Sequence, residues 1–192
     1  MTVMGCTFDG MIGDRDAIDF DFDGAERSLS EGCPMMNGAD DGIDLGATSV
    51  DIRDNVFFNI QDKALSLEGN GTLGPPTVTG NIIFGCGTAR ALKNGVTIDE
   101  GHHNTVVGNQ EGISLFWKDG APDGGHGVFH GRIIWDNTVD VLGDALWSVS
   151  FSHSNISEGP WPGEGNIALD PRFTSVEGQD PTPDELRCTA HL

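Results

Sequence analysis

Residues 49–60 read SVDIRDNVFFNI, and residues 77–86 read TVTGNIIFGC. When Asn55 is aligned with Asn81, the flanking apolar residues of the two stretches fall in the same places. Apolar and polar residues alternate on both sides of the asparagine, which is the pattern of a β-strand with one buried face. Asparagine tolerates the left-handed backbone of a turn, and its amide can bond to a counterpart in a neighbouring repeat. The aligned apolar pairs are Ile52 with Val78 and Phe57 with Ile83.

A second repeat runs in phase with the first and carries one anchoring apolar residue in each unit. Successive anchors are 25, 22, 27 and 21 residues apart, which is too short for a strand–helix–strand unit. A period in the low twenties with two or three short strands is typical of a β-solenoid, whose coils bury their apolar sides against each other. A β-sandwich with coincidental spacing is the alternative. The anchors that we expect in one interior row are Ile18, Ile43, Leu65, Leu92 and Ile113.

The chain resembles the right-handed parallel β-helix repeat proteins, the superfamily of the pectate lyases. The resemblance covers most of residues 3–173 and implies an all-β fold of about six coils of 21–28 residues. Residues 1–157 are expected to form the coils, and residues 158–192 a C-terminal loop or cap of the same domain. The superfamily includes lyases, hydrolases and adhesins, so the resemblance is specific for fold and not for activity. The stretches that carry it are DDGIDL at 40–45, VDIRDNVF at 50–57, IIWDN at 133–137 and GNIALDPRF at 165–173.

The composition is strongly acidic, with 30 acidic and 10 basic residues and a formal net charge of −20. This balance argues against binding to nucleic acid, which requires a basic face, and against binding to an anionic membrane surface. The charge fits plain solubility, or carboxylates that gather cations such as Ca²⁺. No signal peptide opens the chain, whereas strand-like sequence begins at once. Either the protein is cytosolic or its signal is missing from this chain, and the start favours the second alternative. With the resemblance, this predicts a secreted or cell-surface protein.

Outward residues of successive coils stack about 4.8 Å apart and therefore form columns. Such columns of charged residues either form a functional site, or they keep the protein soluble and fix the register between neighbouring strands. The first predicted column contains Asp16, Asp41, Lys63, Arg90 and Glu111. The second contains Asp19, Asp44, Ser66, Lys93 and Ser114.

The resemblance implies polysaccharide lyase chemistry, in which a cation neutralises a uronate carboxylate and a basic side chain removes the neighbouring proton. Lys63 or Arg90 is the expected base. The catalytic group is predicted to be Asp16, Asp41, Lys63 and Arg90. Ca²⁺ is expected at Asp19, Asp21 and Asp44. The residues expected to bind an acidic polysaccharide are Lys93, Glu111, Trp117 and Lys118.

Two other functions stay open. Asp40 and Asp41 resemble the paired aspartates of polygalacturonases, and a glycoside hydrolase would use carboxylates alone. The histidine and the Arg-x-Lys expected of that family are not in matching places. A non-catalytic surface, adhesion or scaffolding module is the third possibility, and a flat salt-bridged face would favour it.

The histidines and cysteines do not indicate a metal site. The adjacent His102 and His103 would point to opposite sides of a strand, and no cysteine lies at ligand spacing from a histidine. The cysteines also match no disulfide framework, so we expect buried free thiols.

The first coil has no visible cap, and an open β edge invites pairing with another chain. We therefore expect a homodimer through the N-terminal end of the solenoid, because closed symmetry is the common outcome.

Overall fold

The computed structural model describes residues 1–21, 24–46, 48–116, 118, 124–143 and 146–173. In these ranges the chain forms twenty short strands and no helix. None of its segments is therefore a helix of the length and hydrophobicity needed to cross a bilayer. The strands form three parallel sheets, each running along the axis of a right-handed solenoid. Six coils contribute one strand to every sheet, and a seventh contributes two strands.

Every third strand along the chain belongs to the same sheet. The first sheet contains β1 (Thr2–Met4), β4 (Ser28–Glu31), β7 (Val50–Arg53), β10 (Thr77–Thr79), β13 (Thr97–His102), β16 (His126–His130) and β19 (Ser148–Ser152). The second contains β2 (Phe8–Asp9), β5 (Pro34–Met36), β8 (Val56–Phe58), β11 (Ile82–Phe84), β14 (Thr105–Val107), β17 (Ile133–Trp135) and β20 (Asn155–Ile156). The third contains β3 (Ile18–Phe20), β6 (Ile43–Gly46), β9 (Lys63–Glu68), β12 (Thr88–Lys93), β15 (Glu111–Phe116) and β18 (Val139–Gly143).

The predicted alignment of the two decisive stretches is confirmed. Ile52 pairs with Val78 in the first sheet, and Phe57 pairs with Ile83 in the second. All four side chains are fully buried, as the alternation of apolar and polar residues requires.

The first corner, where the chain passes from the first sheet to the second, is stabilised by a ladder of buried asparagines. The backbone N–H of Asn55 donates to Oδ1 of Asn81 at 3.0 Å, and the N–H of Asn81 donates to Oδ1 of Asn104 at 3.1 Å. The amide of Asn81 also donates to the carbonyl of Ile52 at 3.0 Å. The asparagines of this corner are thus hydrogen-bonded from coil to coil, and this pairing allows their polar side chains to be buried.

The interior row of anchors is wrong at one position. In the third sheet Arg90, and not Leu92, pairs with Leu65 and Ile113. Leu92 lies two residues further along, paired with Leu67. The sequence alignment matched apolar residues only, so it placed Leu92 in this row. The observed register of the fourth coil differs from the predicted one by two residues, because the row is occupied by an arginine.

Two arginines lie wholly inside the solenoid. The guanidinium carbon of Arg132 is 4.4 Å from the centroid of the Phe129 ring, and that of Arg90 is 5.6 Å away. Nε of Arg132 donates to the carbonyl of Gly101 at 3.2 Å. All three nitrogens of the Arg90 guanidinium lack a hydrogen-bond partner within the described part of the chain. Burial lowers the pKa of Arg90 to about 9, since a charged group loses its hydration there.

The segment after β20 lies against the last coil. The N–H of Ile156 donates to the carbonyl of Ile167 at 3.1 Å, and the Trp161 ring is 5.3 Å from that of Phe151. Oδ1 of Asn166 accepts a hydrogen bond from the N–H of Ser154 at 3.0 Å. This bond repeats the side-chain-to-backbone pattern of the first corner beyond the last coil. The rest of the predicted cap, residues 174–192, lies outside the described residues.

Cys33 and Cys86 are buried free thiols as expected, whereas the free Cys6 is exposed. Cys188 lies outside the described residues.

Candidate functional site

The second corner, where the chain passes from the second sheet to the third, collects carboxylates from three coils. Asp16 precedes β3, the pair Asp40 and Asp41 precedes β6, and Asp62 directly precedes β9. We call these four residues, together with Lys63, the acidic corner. Oxygens of Asp16, Asp40 and Asp41 lie within 4.8 Å of one another, and this is the one such group of potential metal ligands among the described residues.

Backbone hydrogen bonds fix two of these carboxylates in successive coils. Oδ1 of Asp16 accepts from the N–H of Asp41 at 3.2 Å. Oδ1 of Asp41 accepts in the same way from the N–H of Lys63 at 3.0 Å. The repeat of the solenoid therefore places equivalent carboxylates one above the other at this corner.

The crowding of negative charge perturbs Asp16. Burial raises the pKa of Asp16 to about 6, and the charges of Asp41 and Asp40 act in the same direction. The hydrogen bond from Asp41 opposes this shift without cancelling it. Near neutral pH, part of the population therefore carries a protonated Asp16, which is unusual for a carboxyl group at the surface.

Lys63 is held between two aspartates. Its Nζ is 3.0 Å from Oδ1 of Asp41 and also contacts Oδ2 of Asp62. Burial alone would lower the pKa of Lys63, but the hydrogen bond to Asp62 and the charge of Asp41 raise it above its ordinary value. Burial also raises the pKa of Asp41, although Lys63 acts against it. Lys63 is thus a protonated ion-pair partner at neutral pH and a poor proton acceptor.

The structure does not bring together the three predicted calcium ligands. Asp19 and Asp44 pair in register on β3 and β6, but their carboxylates form no cluster with Asp21. Oδ1 of Asp44 is instead 3.7 Å from Nζ of Lys93, and the Asp21 carboxylate lies over the Cα of Gly46. Burial raises the pKa of Asp19, with smaller contributions from the charges of Asp21 and Asp44.

The predicted roles of Arg90 and Lys93 need correction. Arg90 is 0% exposed in the interior, where no polysaccharide can reach it, and Thr88 takes its expected place beside Lys63. Lys93 is 3% exposed and donates to Oγ of Ser66 at 2.7 Å. Its ammonium is occupied by a hydrogen-bonded network and is not open to a substrate carboxylate.

The remaining predicted binding residues are scattered. Glu111 accepts a hydrogen bond from Thr88 at 3.1 Å and continues the column begun by Lys63. Lys118 is exposed, and its N–H donates to Oδ1 of Asn94 at 2.7 Å. Trp117 lies outside the described residues.

A groove of about 350 Å³ runs along the same second corner, next to the acidic corner. It crosses four coils, or about 14 Å at 4.8 Å per step. Its three glycines have no side chains that would fill the groove. The amides of Gln61 and Gln110 are exposed and can donate to or accept from a ligand. We call this feature the corner groove. Its lining comprises residues 59–61, 85–87, 108–110 and Thr138.

Asp40 is the site residue that the lyase prediction missed. The sequence offered one signal, the Asp40–Asp41 pair, which entered only the hydrolase alternative. Neighbouring residues of a strand point to opposite faces, but at a corner the backbone turns and both carboxylates can converge.

Comparison with known proteins supports the architecture and leaves the activity open. Searches of curated proteins and of solved structures found no significant match. The family model described as "right handed beta helix region" matches residues 1–110, more than half of the chain. The chain therefore belongs to the right-handed β-helix family.

Proposed function

We propose that this chain is a secreted carbohydrate-binding β-helix that holds an acidic polysaccharide along the corner groove through a divalent cation at the acidic corner. The proposal rests on one observation, which is that the acidic corner and the corner groove lie at the same corner of the solenoid. A carboxylate cluster lies at one end of an open groove that runs along the solenoid axis. A linear polymer is the ligand that such a groove fits.

The donor set at the acidic corner suits Ca²⁺. Asp16, Asp40 and Asp41 offer only oxygen atoms, which is what this hard cation prefers. A bound cation would offset the burial and the repulsion by Asp41 and Asp40, which together raise the pKa of Asp16. It would also bridge to uronate carboxylates, which a chain with a net charge of −20 otherwise repels.

The geometry favours binding over lyase chemistry. A lyase requires a base beside the substrate, and the two predicted candidates fail for different reasons. Lys63 is ion-paired with a raised pKa, and Arg90 is buried. No other lysine or arginine of the described residues lies within 4.0 Å of the acidic-corner carboxylates.

Hydrolysis is the second candidate, and the perturbed Asp16 favours it. A carboxyl group with a pKa of about 6 can act as a general acid near neutral pH. The closest oxygens of Asp16, Asp40 and Asp41 lie within 4.8 Å of one another, a spacing nearer to the close carboxyl pair of a retaining hydrolase than to the wider pair of an inverting one.

The test measures binding and cleavage on the same samples. Polygalacturonate and alginate, with neutral dextran as control, are run in affinity electrophoresis with Ca²⁺ or with EDTA. We expect retardation by the uronates only, in Ca²⁺ only, and its loss in Asp40→Asn. Asp54→Asn changes the net charge equally at an exposed position of the first corner, away from both the acidic corner and the corner groove, and should bind normally. The proposal would be overturned if the retardation were the same in EDTA as in Ca²⁺, or if Asp40→Asn were retarded as strongly as the parent chain.

Absorbance at 235 nm reports unsaturated products of a lyase, and a reducing-end assay reports hydrolysis. We expect neither signal from a pure binding protein. Reducing ends without absorbance at 235 nm, lost in Asp16→Asn, would establish the hydrolase instead.

A further inference from the structure

Four histidines from three successive coils lie side by side at the first corner, on the outer surface. His102 of β13 pairs in register with His130 of β16, and His130 pairs with Ser152, the residue before His153. Ring centroids are 5.6 Å apart for His102 and His130 and 4.8 Å apart for His130 and His153. The ring of His103 is 6.1 Å from that of His102. We call these four residues the histidine cluster.

The backbone is adapted to hold these rings at the corner. His103 and His153 have φ angles of 53° and 51°, a left-handed conformation that few residues with a Cβ adopt. In each case the equivalent position of the next coil is a glycine. A Cβ on Gly131 would be 3.5 Å from Cδ2 of His103, and one on Gly165 would be 2.6 Å from Cδ2 of His153. The contact at Gly165 would be too short, so the missing side chain there leaves space in which the His153 ring lies over the neighbouring coil, whereas the contact at Gly131 would be an ordinary one.

The spacing of the rings matches that of two imidazoles on one metal ion. With a metal–nitrogen distance of 2.0–2.1 Å and a tetrahedral angle, two ring centroids lie about 5.2 Å apart. The observed separations of 5.6 Å and 4.8 Å fall on either side of this value. No three of the ring nitrogens approach within 4.8 Å of each other among the described residues, so a metal ion held by this cluster would have two imidazole ligands.

His130 is oriented as a ligand. Its Nδ1 lies 3.0 Å from Oγ of Ser152, which leaves Nε2 for coordination. Metal-binding histidines usually make such a hydrogen bond with their second nitrogen, because it fixes the tautomer and the plane of the ring. His130 is also the ring that has a histidine neighbour in each of the two adjoining coils.

We infer that the histidine cluster binds a transition-metal ion of the Cu²⁺, Ni²⁺ or Zn²⁺ class, with Nε2 of His130 and one imidazole of an adjoining coil as ligands. Imidazole prefers these ions to Ca²⁺ and Mg²⁺, and the expected order of affinity is Cu²⁺ above Ni²⁺ and Zn²⁺. The site is independent of the acidic corner. Asp16, Asp40 and Asp41 all precede β6, and two coil steps of the third sheet, about 10 Å, separate β6 from β12, which precedes β13.

The test uses the whole chain without a histidine tag. Cu²⁺ and Zn²⁺ are titrated by calorimetry, and the Cu²⁺ complex is examined by electron paramagnetic resonance for coupling to nitrogen. We expect one micromolar or tighter Cu²⁺ site with nitrogen ligands, which millimolar Ca²⁺ does not displace. Losing a ligand should weaken binding at least as much as losing an outer hydrogen bond, so His130→Ala should lower the affinity by about tenfold or more.

His126→Ala is the matched control, because His126 lies on the same strand about 13 Å away. It should retain the site, as should Asp40→Asn. If His130→Ala does not fold, the double variant His102→Ala with His153→Ala removes both neighbouring ligands and should give the same loss. Binding only at millimolar metal, a spectrum without nitrogen coupling, or equal weakening by His126→Ala would overturn the inference.

Discussion

Neutralising Asp16 should stabilise the protein. Burial and the neighbouring carboxylates raise the pKa of Asp16 from 3.8 to about 6, so its ionised form is disfavoured in the fold. The variant Asp16→Asn removes this charge and keeps an oxygen that can accept the hydrogen bond from the Asp41 N–H. A substitution that raises stability at a surface carboxylate is typical of a residue retained for function.

The shift sets an upper bound on the effect. Each pKa unit corresponds to about 1.4 kcal/mol, so the full shift would be worth about 3 kcal/mol. Solvent screens a group that remains partly accessible, and we expect about 1–2 kcal/mol. For a chain of this size, that raises the melting temperature by about 2–8 °C.

The pH dependence follows from the direction of the shift. Between pH 3.8 and about 6 the folded state binds more protons at Asp16 than the unfolded state does. The free energy of unfolding therefore falls as the pH rises through this window. The advantage of Asp16→Asn should be fully present at pH 8 and mostly lost near pH 3.5, where the carboxyl group of Asp16 is mainly protonated in both the folded and the unfolded state.

Urea unfolding at pH 8 and near pH 3.5, followed by circular dichroism, measures this difference. Asp136→Asn serves as the control, because it changes the net charge equally and occupies a left-handed position, with φ of 55°, that asparagine tolerates. An advantage of Asp16→Asn that is the same at both pH values, or a loss of stability at pH 8, would refute the account of a strained carboxylate.

Three further outcomes test the fold and the site. Asn81→Ala leaves several buried groups of the first corner without partners and should lower the free energy of unfolding, measured in urea, by about 3–6 kcal/mol. Asn70→Ala at an exposed position should lower it by less than about 1 kcal/mol, and equal losses would contradict the role of the asparagine ladder. Arg90→Met replaces a buried unpaired cation and should raise the free energy of unfolding by about 1–4 kcal/mol, while a loss of that size would show that the guanidinium is paired in solution. Millimolar Ca²⁺ should raise the melting temperature by mass action in the parent chain but not in Asp40→Asn, and a melting temperature that is indifferent to Ca²⁺ and EDTA would exclude the ion.

The architecture was predictable because its signals are local and repeated. Alternation around Asn55 and Asn81 gave the strand pairs and the corner between them, and the structure confirms both. The fourth coil was misaligned at Arg90 for a physical reason. Hydrophobic patterning assigns charged residues to the surface, and nothing in one sequence shows that Phe129, 39 residues later, lies beside the guanidinium.

The candidate sites were less predictable, because they depend on corners. Asp16 and Asp41 were identified as site residues, but their convergence with Asp40 requires a turn that the strand rule does not describe. The pairing of His102 with His130 follows an irregularity in register between Ile98 and Gly101. Counting residues along an ideal strand cannot anticipate that shift.

Both candidate sites lie at corners, and the geometry of a solenoid explains why. On a flat sheet face, adjacent residues of one strand point to opposite sides, so the nearest outward neighbour of a side chain is its equivalent in the next coil. At a corner, adjacent residues of one coil and the equivalents in the next coil can meet. The second corner gathers oxygen donors in this way, and the first corner gathers nitrogen donors. Because about 10 Å or more along the axis separates the carboxylates of Asp16, Asp40 and Asp41 from the histidine cluster, the stabilisation by Ca²⁺ at one and by Zn²⁺ at the other should add without coupling.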